Sequence, residues 1–221
     1  MDKNVNIKNI LVLGNAPLLN IESQNFDLIY YFSNNSRLLN DLSYSNAIGI
    51  IQDFTINYKY GDKNLYKHRK TKLEEFKRNF KDTHSTLIIG RKNSIKLSNF
   101  ISEYNVSQYI NHRQVIKEVI FFLPINILFF SLGFKGLVNY LLLLLGIKSK
   151  IPSIYRPSSG YYLILKVLRE FPRSNIQLKG FSSPYENYIT IEESLISIRP
   201  HKKFDTIIYN ILITKPLISF L

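Results

Sequence analysis

The chain has 221 residues, enough for one full-sized α/β domain and too few for two large ones. Its 29 Lys and Arg against 16 Asp and Glu give a net charge of +13, and 45% hydrophobic with 14% aromatic residues excludes disorder of the whole chain. The absence of cysteine removes a disulfide framework, a thiolate zinc site and a cysteine nucleophile together. His68, His84, His112 and His201 are scattered without HExxH or comparable ligand spacing, so no structural metal is expected. The apolar run Ile10 to Leu13, behind Lys3 and Lys8, is too short for a signal peptide, and a cytoplasmic location is the expectation. The positive charge calls for an anionic partner: nucleic acid, lipid headgroups or a phosphorylated substrate.

In chain order, Ile10 to Leu13 reads as a first strand running into a turn with Gly14, Asn15 and Pro17. Phe26 to Phe32 is a second apolar run, closed by Ser33, Asn34, Asn35 and Ser36, and Ala47 to Ile51 is a third. Short buried strands with connections of this size predict a parallel sheet. Residues 59–82 are highly charged, with Leu73, Phe76 and Phe80 on one helical face, as in a helix on the outside of a domain. Thr86 to Gly90 reads as a further strand.

Composition shifts at residues 115–147, the most apolar stretch. Val119 to Phe134 spans only about 24 Å as a helix, interrupted by Pro124 and Asn126, short of the ~20 apolar residues that cross a bilayer. Two half-length segments joined at Gly133 to Gly136 predict an apolar helical hairpin, either buried in the core or dipping into one leaflet. In the second case Lys117, Lys135, Lys148 and Lys150 meet phosphate headgroups. Beyond it come a helix through Tyr161 to Arg169, a strand Asn175 to Phe181, a loop Ser182 to Tyr188, and a last helix carrying Ile207, Ile208, Ile211 and Leu212.

Four polar clusters fall where α/β proteins keep their sites, at strand ends and helix starts. Gly14-Asn15-Ala16-Pro17 is neither GxGxxG nor a Walker loop; it is a structural turn or a place where amides and Asn15 donate to a phosphate. Arg156-Pro157-Ser158-Ser159-Gly160 opens a helix and serves N-capping, anion binding or both. Tyr185 and Tyr188 lie on the loop after a strand, and His201 is a lone imidazole ahead of a helix.

Taken in order, these clusters resemble the bacterial lipooligosaccharide sialyltransferases, whose pattern is a strand ending in G-N-x-P, then F-D followed by Asn, R-x-x-S-G at a helix start, a strand ending in G-F, tyrosines on the next loop and a late His. The later part is also similar to animal sialyltransferases, with H-x-x-x-E at the end. The matching residues are Gly14, Asn15 and Pro17; Phe26 and Asp27 with Asn34 or Asn35; Arg156 to Gly160; Gly180 and Phe181; Tyr185 and Tyr188; and His201 with Asp205, about residues 10–55 and 150–212. Ala16 and Leu18 replace a Gly and a Ser of the bacterial G-N-G-P-S, Gln52 and Asp53 stand near its second Asn, and Asp205 replaces the animal Glu.

The resemblance implies a Rossmann-like α/β fold, a sialyltransferase variant of the GT-A kind, as one domain over residues 1–221 with the apolar hairpin at 115–147 inserted. It implies an inverting transferase that moves a CMP-activated ulosonic acid, sialic acid or Kdo-like, to a lipopolysaccharide or other surface glycan, with no cofactor and no metal. Gly14, Asn15, Asn34 and Asn35 are implied on the nucleotide side. Ser158, Ser159 and Gly160 are implied at the donor phosphate and carboxylate, Tyr185 and Tyr188 at the leaving phosphate, and His201 as general base. An imidazole of ordinary pKa suits the last role, and hydroxyl and amide donors suit the departing oxygens. The short first apolar run, the hairpin and the basic charge together predict a location that is cytoplasmic and peripheral at the inner membrane, on an anionic surface. A second reading is a non-catalytic basic peripheral membrane or scaffolding protein with a degenerate nucleotide fold. Nucleic acid is disfavoured, because Asn57-Tyr58-Lys59-Tyr60 is the one stacking-like run and belongs to no recognised module.

Overall fold

The computed structural model describes residues 6–14, 24–52, 63–80, 84–89, 100, 103–123, 125–148, 152, 155–181 and 201–220. The strands are β1 (Asn9–Leu13), β2 (Asn25–Phe26), β3 (Leu28–Phe32), β4 (Ser43–Tyr44), β5 (Ala47–Gln52), β6 (Ser85–Ile89), β7 (Val106–Ile110), β8 (Asn175–Lys179) and β9 (Ile218–Phe220). The helices are α1 (Lys63–Asn79), α2 (His112–Phe122), α3 (Ile125–Leu144), α4 (Ser159–Glu170) and α5 (Lys202–Leu212), with a 3-10 helix over Ser33–Asp41.

Seven strands form one sheet in the order β7-β6-β5-β3-β1-β8-β9, and β2 pairs with β4 beside it. Every pairing in the seven-stranded sheet is parallel. Strands covered on both faces read as uninterrupted apolar runs, and β3 is buried at all five positions. Alternate side chains divide two cores. Ile10, Val12, Leu28, Tyr30, Ile48 and Ile50 meet α2, α3, α4 and α5. Leu11, Leu13, Ile29, Tyr31 and Ile51 meet the 3-10 helix and α1, whose Leu73 and Phe76 are buried. The result is a Rossmann-like three-layer α/β arrangement.

On the second face Phe76, Phe80, Phe100 and Tyr104 pack ring against ring. His84 is fully buried there, its Nδ1 3.0 Å from the Tyr31 hydroxyl and its Nε2 3.0 Å from the Tyr44 hydroxyl. His84 thus serves the core, with both ring nitrogens satisfied. On the opposite face Arg169 pairs with Glu118 at 2.9 Å, and the buried Lys166 pairs with Glu170.

The apolar stretch forms α2 and α3, which pack on the first core through Val115, Ile116, Val119, Leu128, Leu132 and Leu143. A hairpin hinged at Gly133 to Gly136 is the sequence expectation; the described chain leaves the helix at Leu123, where φ is −106° and ψ 119°, and bends again within α3 at Gly133. Gly133 has φ +65° and ψ 178°, a conformation only glycine adopts without strain. No helix among the described residues is long and apolar enough to cross a membrane.

Candidate active site at the carboxyl edge of the sheet

Strand order reverses between β1 and β8. From β1 the chain adds β3, β5, β6 and β7 on one side, then returns to add β8 and β9 on the other. In open parallel sheets this reversal leaves a crevice beyond the carboxyl ends of the two strands, where ligands bind.

Gly14 follows β1 and Gly180 follows β8. The Gly14 amide donates to the Lys179 carbonyl at 2.7 Å, so the two strands stay bonded to their last residues. A Cβ on Gly14 would lie 2.3 Å from the Gly180 carbonyl oxygen, a contact that backbone cannot yield to. The turn requires glycine for this close approach. Asn35, fully buried in the 3-10 helix after β3, donates from Nδ2 to the Gly14 carbonyl at 2.6 Å. Its amide therefore fixes the turn from beneath. Asn34 lies on the same 3-10 helix. Asn15, Tyr185 and Tyr188 lie outside the described residues.

The start of α4 reaches the same edge. Gln52, the last residue of β5, donates from Nε2 to the Ser159 hydroxyl at 2.5 Å. Ser158 holds the N-cap position, yet its side chain makes no capping bond. The Asp205 carboxylate takes that part, accepting the Ser158 amide at 2.9 Å from the first turn of α5. N-capping by a hydroxyl of Ser158 or Ser159 is the sequence expectation; at Ser158 a carboxylate 47 positions away accepts the amide instead. The next amides of α4, at Ser159 and Gly160, precede the first intrahelical bond, which runs from the Tyr162 amide to the Ser158 carbonyl at 2.9 Å. Amides in this position at a helix start are able to donate to an anion.

Gly160 has a packing role as well. A Cβ there would meet the Phe181 ring at 2.9 Å, and the same ring lies 3.1 Å from the position of a Gly14 Cβ. Phe181 also meets Tyr161 edge to face, with centroids 6.3 Å apart.

His201 is the N-cap residue of α5 and is half-buried. Its Nδ1 lies 2.9 Å from the Arg156 carbonyl, which can only accept, so Nδ1 carries a proton, and a neutral ring in this tautomer has its lone pair on Nε2. The preceding residue, Tyr155, is held in turn by the Tyr140 hydroxyl, which donates to its carbonyl. Burial pushes the Tyr140 phenol well above its ordinary value while the Arg156 charge opposes that rise, so the phenol stays a neutral donor.

No family model, curated protein or solved structure matches this chain. Of the residues singled out in the sequence, Gly14, Asn35, Ser158, Ser159, Gly160 and His201 are joined through one network of contacts. Asp27 belongs elsewhere: its carboxylate accepts the amides of Lys8 and Asn9 at the amino end of β1. Gln52 and Asp205, which the sequence marks only as departures from the resembled pattern, act here as positioning residues, each on a partner more than 40 residues distant. Among the described residues no three His, Asp or Glu side chains group as metal ligands. The gathered groups are amide and hydroxyl donors, one imidazole and one accepting carboxylate.

Proposed function

We propose that the protein is an inverting glycosyltransferase that moves a CMP-activated ulosonic acid, sialic acid or Kdo-like, onto a surface glycan such as lipopolysaccharide, working at the inner leaflet. The observation that supports this most is the meeting of the Ser158–Ser159–Gly160 helix start with the His201–Arg156 pair at one edge of a parallel sheet, beside its reversal point. In this reading the acceptor oxygen attacks the anomeric carbon as the bond from that carbon to phosphate breaks. The bonding pair leaves with CMP, and the hydroxyl proton passes to Nε2 of His201. Amides at Ser159 and Gly160 meet the negative donor, and Tyr185 and Tyr188 take the role of donors to the leaving phosphate. Asn15 completes the nucleotide turn.

The test is CMP release from CMP-sialic acid and from CMP-Kdo with lipopolysaccharide acceptors, alongside CMP calorimetry. Turnover with either donor and saturable CMP binding are expected; neither turnover nor binding overturns the proposal.

One observation favours a second reading. The Asp205 carboxylate already sits at the anion end of α4, as it does in a helix start built only for stability. A non-catalytic peripheral membrane protein with a degenerate nucleotide fold predicts retention on anionic vesicles with no CMP binding at all.

A further inference from the structure

A surface helix normally turns apolar residues inward and polar ones outward. Helix α3 obeys the first half of that rule only. Its inward stripe, Leu128, Leu132, Tyr140 and Leu143, is buried, while Ile125 is 77% exposed, Phe130 83%, Phe134 75% and Leu145, just past its end, 73%. Ile120 and Phe121, near the end of α2, are exposed as well, and Arg169 lies over the Phe121 ring at 5.0 Å. Single exposed apolar residues are ordinary; a run along two consecutive helices marks an interaction surface.

The charges on these helices decide what covers it. Residues 112–148 carry Arg113, Lys117, Lys135 and Lys148 against one acid, Glu118. Glu118 is engaged by Arg169, and the four cations are exposed. A second copy on this face would set like charges against one another. An anionic bilayer offers acyl chains to the rings and phosphates to the cations. Arg113, Lys117 and Phe121 follow at intervals of four on α2, so one stripe passes from charge to aromatic ring toward its carboxyl end. The chain emerges again at Lys135 and finally at Lys148.

We propose that the outward face of α2 and α3 docks in the interfacial plane of an anionic bilayer, with Phe121, Phe130 and Phe134 among the acyl chains and Lys117, Lys135 and Lys148 on lipid phosphates. This deepens the membrane part of the reading above, on which it rests for the leaflet alone. The inward face of α3 connects this surface to the candidate site. A Cβ on Gly136 would lie 3.2 Å from Tyr155, Tyr140 holds the Tyr155 carbonyl, and the Tyr140 ring stacks on Phe204 of α5 at 6.5 Å. The docked helix therefore backs the segment whose Arg156 carbonyl orients His201.

The experiment is co-sedimentation of the full chain with vesicles of phosphatidylcholine alone and of phosphatidylcholine mixed with phosphatidylglycerol, with CMP calorimetry on the same samples. Binding to the mixed vesicles is expected. Phe130→Ser with Phe134→Ser lowers partitioning at least about tenfold, and Lys117→Gln, Lys135→Gln and Lys148→Gln each remove about fivefold of the preference for anionic lipid. These exposed substitutions leave the circular dichroism spectrum and CMP affinity unchanged. Retention on neither vesicle overturns the proposal, as does a dimer that the two serine substitutions dissociate. CMP binding is read separately, so its failure counts against the nucleotide reading alone.

Discussion

The Asp205 carboxylate accepts the Ser158 amide at 2.9 Å and so ties the first turn of α5 to the start of α4. It stabilises the helix end and, by its charge, competes with any anion arriving there. Asp205→Asn keeps an acceptor oxygen and removes the charge; we expect CMP affinity to rise about fivefold with little change in melting temperature. Asp205→Ala removes the cap and costs about 1 kcal/mol, or about 2–4 °C. Weaker CMP binding by Asp205→Asn, measured by calorimetry, contradicts this arrangement.

His201 holds the Arg156 carbonyl through Nδ1, and in the proposed reading Nε2 takes the acceptor proton. Asparagine can imitate the Nδ1 donor and cannot imitate the base. His201→Asn is therefore expected to keep the melting temperature and CMP affinity of the parent while transfer falls about 10²- to 10⁴-fold. Should CMP affinity fall in step with transfer, His201 is a nucleotide contact instead.

Gly14 and Gly160 face different neighbours. A Cβ at Gly14 meets backbone at 2.3 Å, whereas one at Gly160 meets an aromatic ring at 2.9 Å, which can move. Gly14→Ala is expected to cost about 3 kcal/mol or more and Gly160→Ala about 1 kcal/mol or less. Thermal melts of the two variants check the ordering; equal losses would show that the β1 and β8 ends are not held as described.

Asp27 accepts the amides of Asn9 and Lys8, which together hold its carboxyl below the ordinary value of 3.8. Because the folded-state pKa is the lower one, the stabilisation is complete above the unfolded pKa and disappears as pH falls through the folded value. Asp27→Asn is expected to lower the melting temperature slightly at neutral pH, with the difference from the parent disappearing as pH falls through the lowered folded-state value. A difference that persists undiminished in acid would assign the effect to shape instead of charge.

The sheet was largely legible because parallel strands buried on both faces leave continuous apolar runs. Ile10 to Leu13, Phe26 to Phe32 and Ala47 to Ile51 each contain or border an observed strand. Strand β7 escaped notice because Val106-Ser107-Gln108-Tyr109-Ile110 lies at the sheet edge and carries polar residues, and β9 has only three residues. The polar cluster Ser33 to Ser36 reads only as the end of an apolar run, yet it begins a 3-10 helix that buries Asn35 and Ser36. The site was legible where local turn chemistry marks it, at Gly14 and Ser158 to Gly160. Gln52 and Asp205 owe their roles to tertiary bonds, which periodicity does not encode. Asp27 shows the converse: a residue matched by motif that works at the opposite edge.

Phe181 stands between the turn at Gly14 and the helix start at Gly160. One ring therefore acts as a spacer for the mouth of the crevice, and the gap between strand end and helix start can be adjusted from below. Leucine or tryptophan at position 181 would narrow or widen that gap, which in the proposed reading tunes the size of ligand admitted independently of its chemistry.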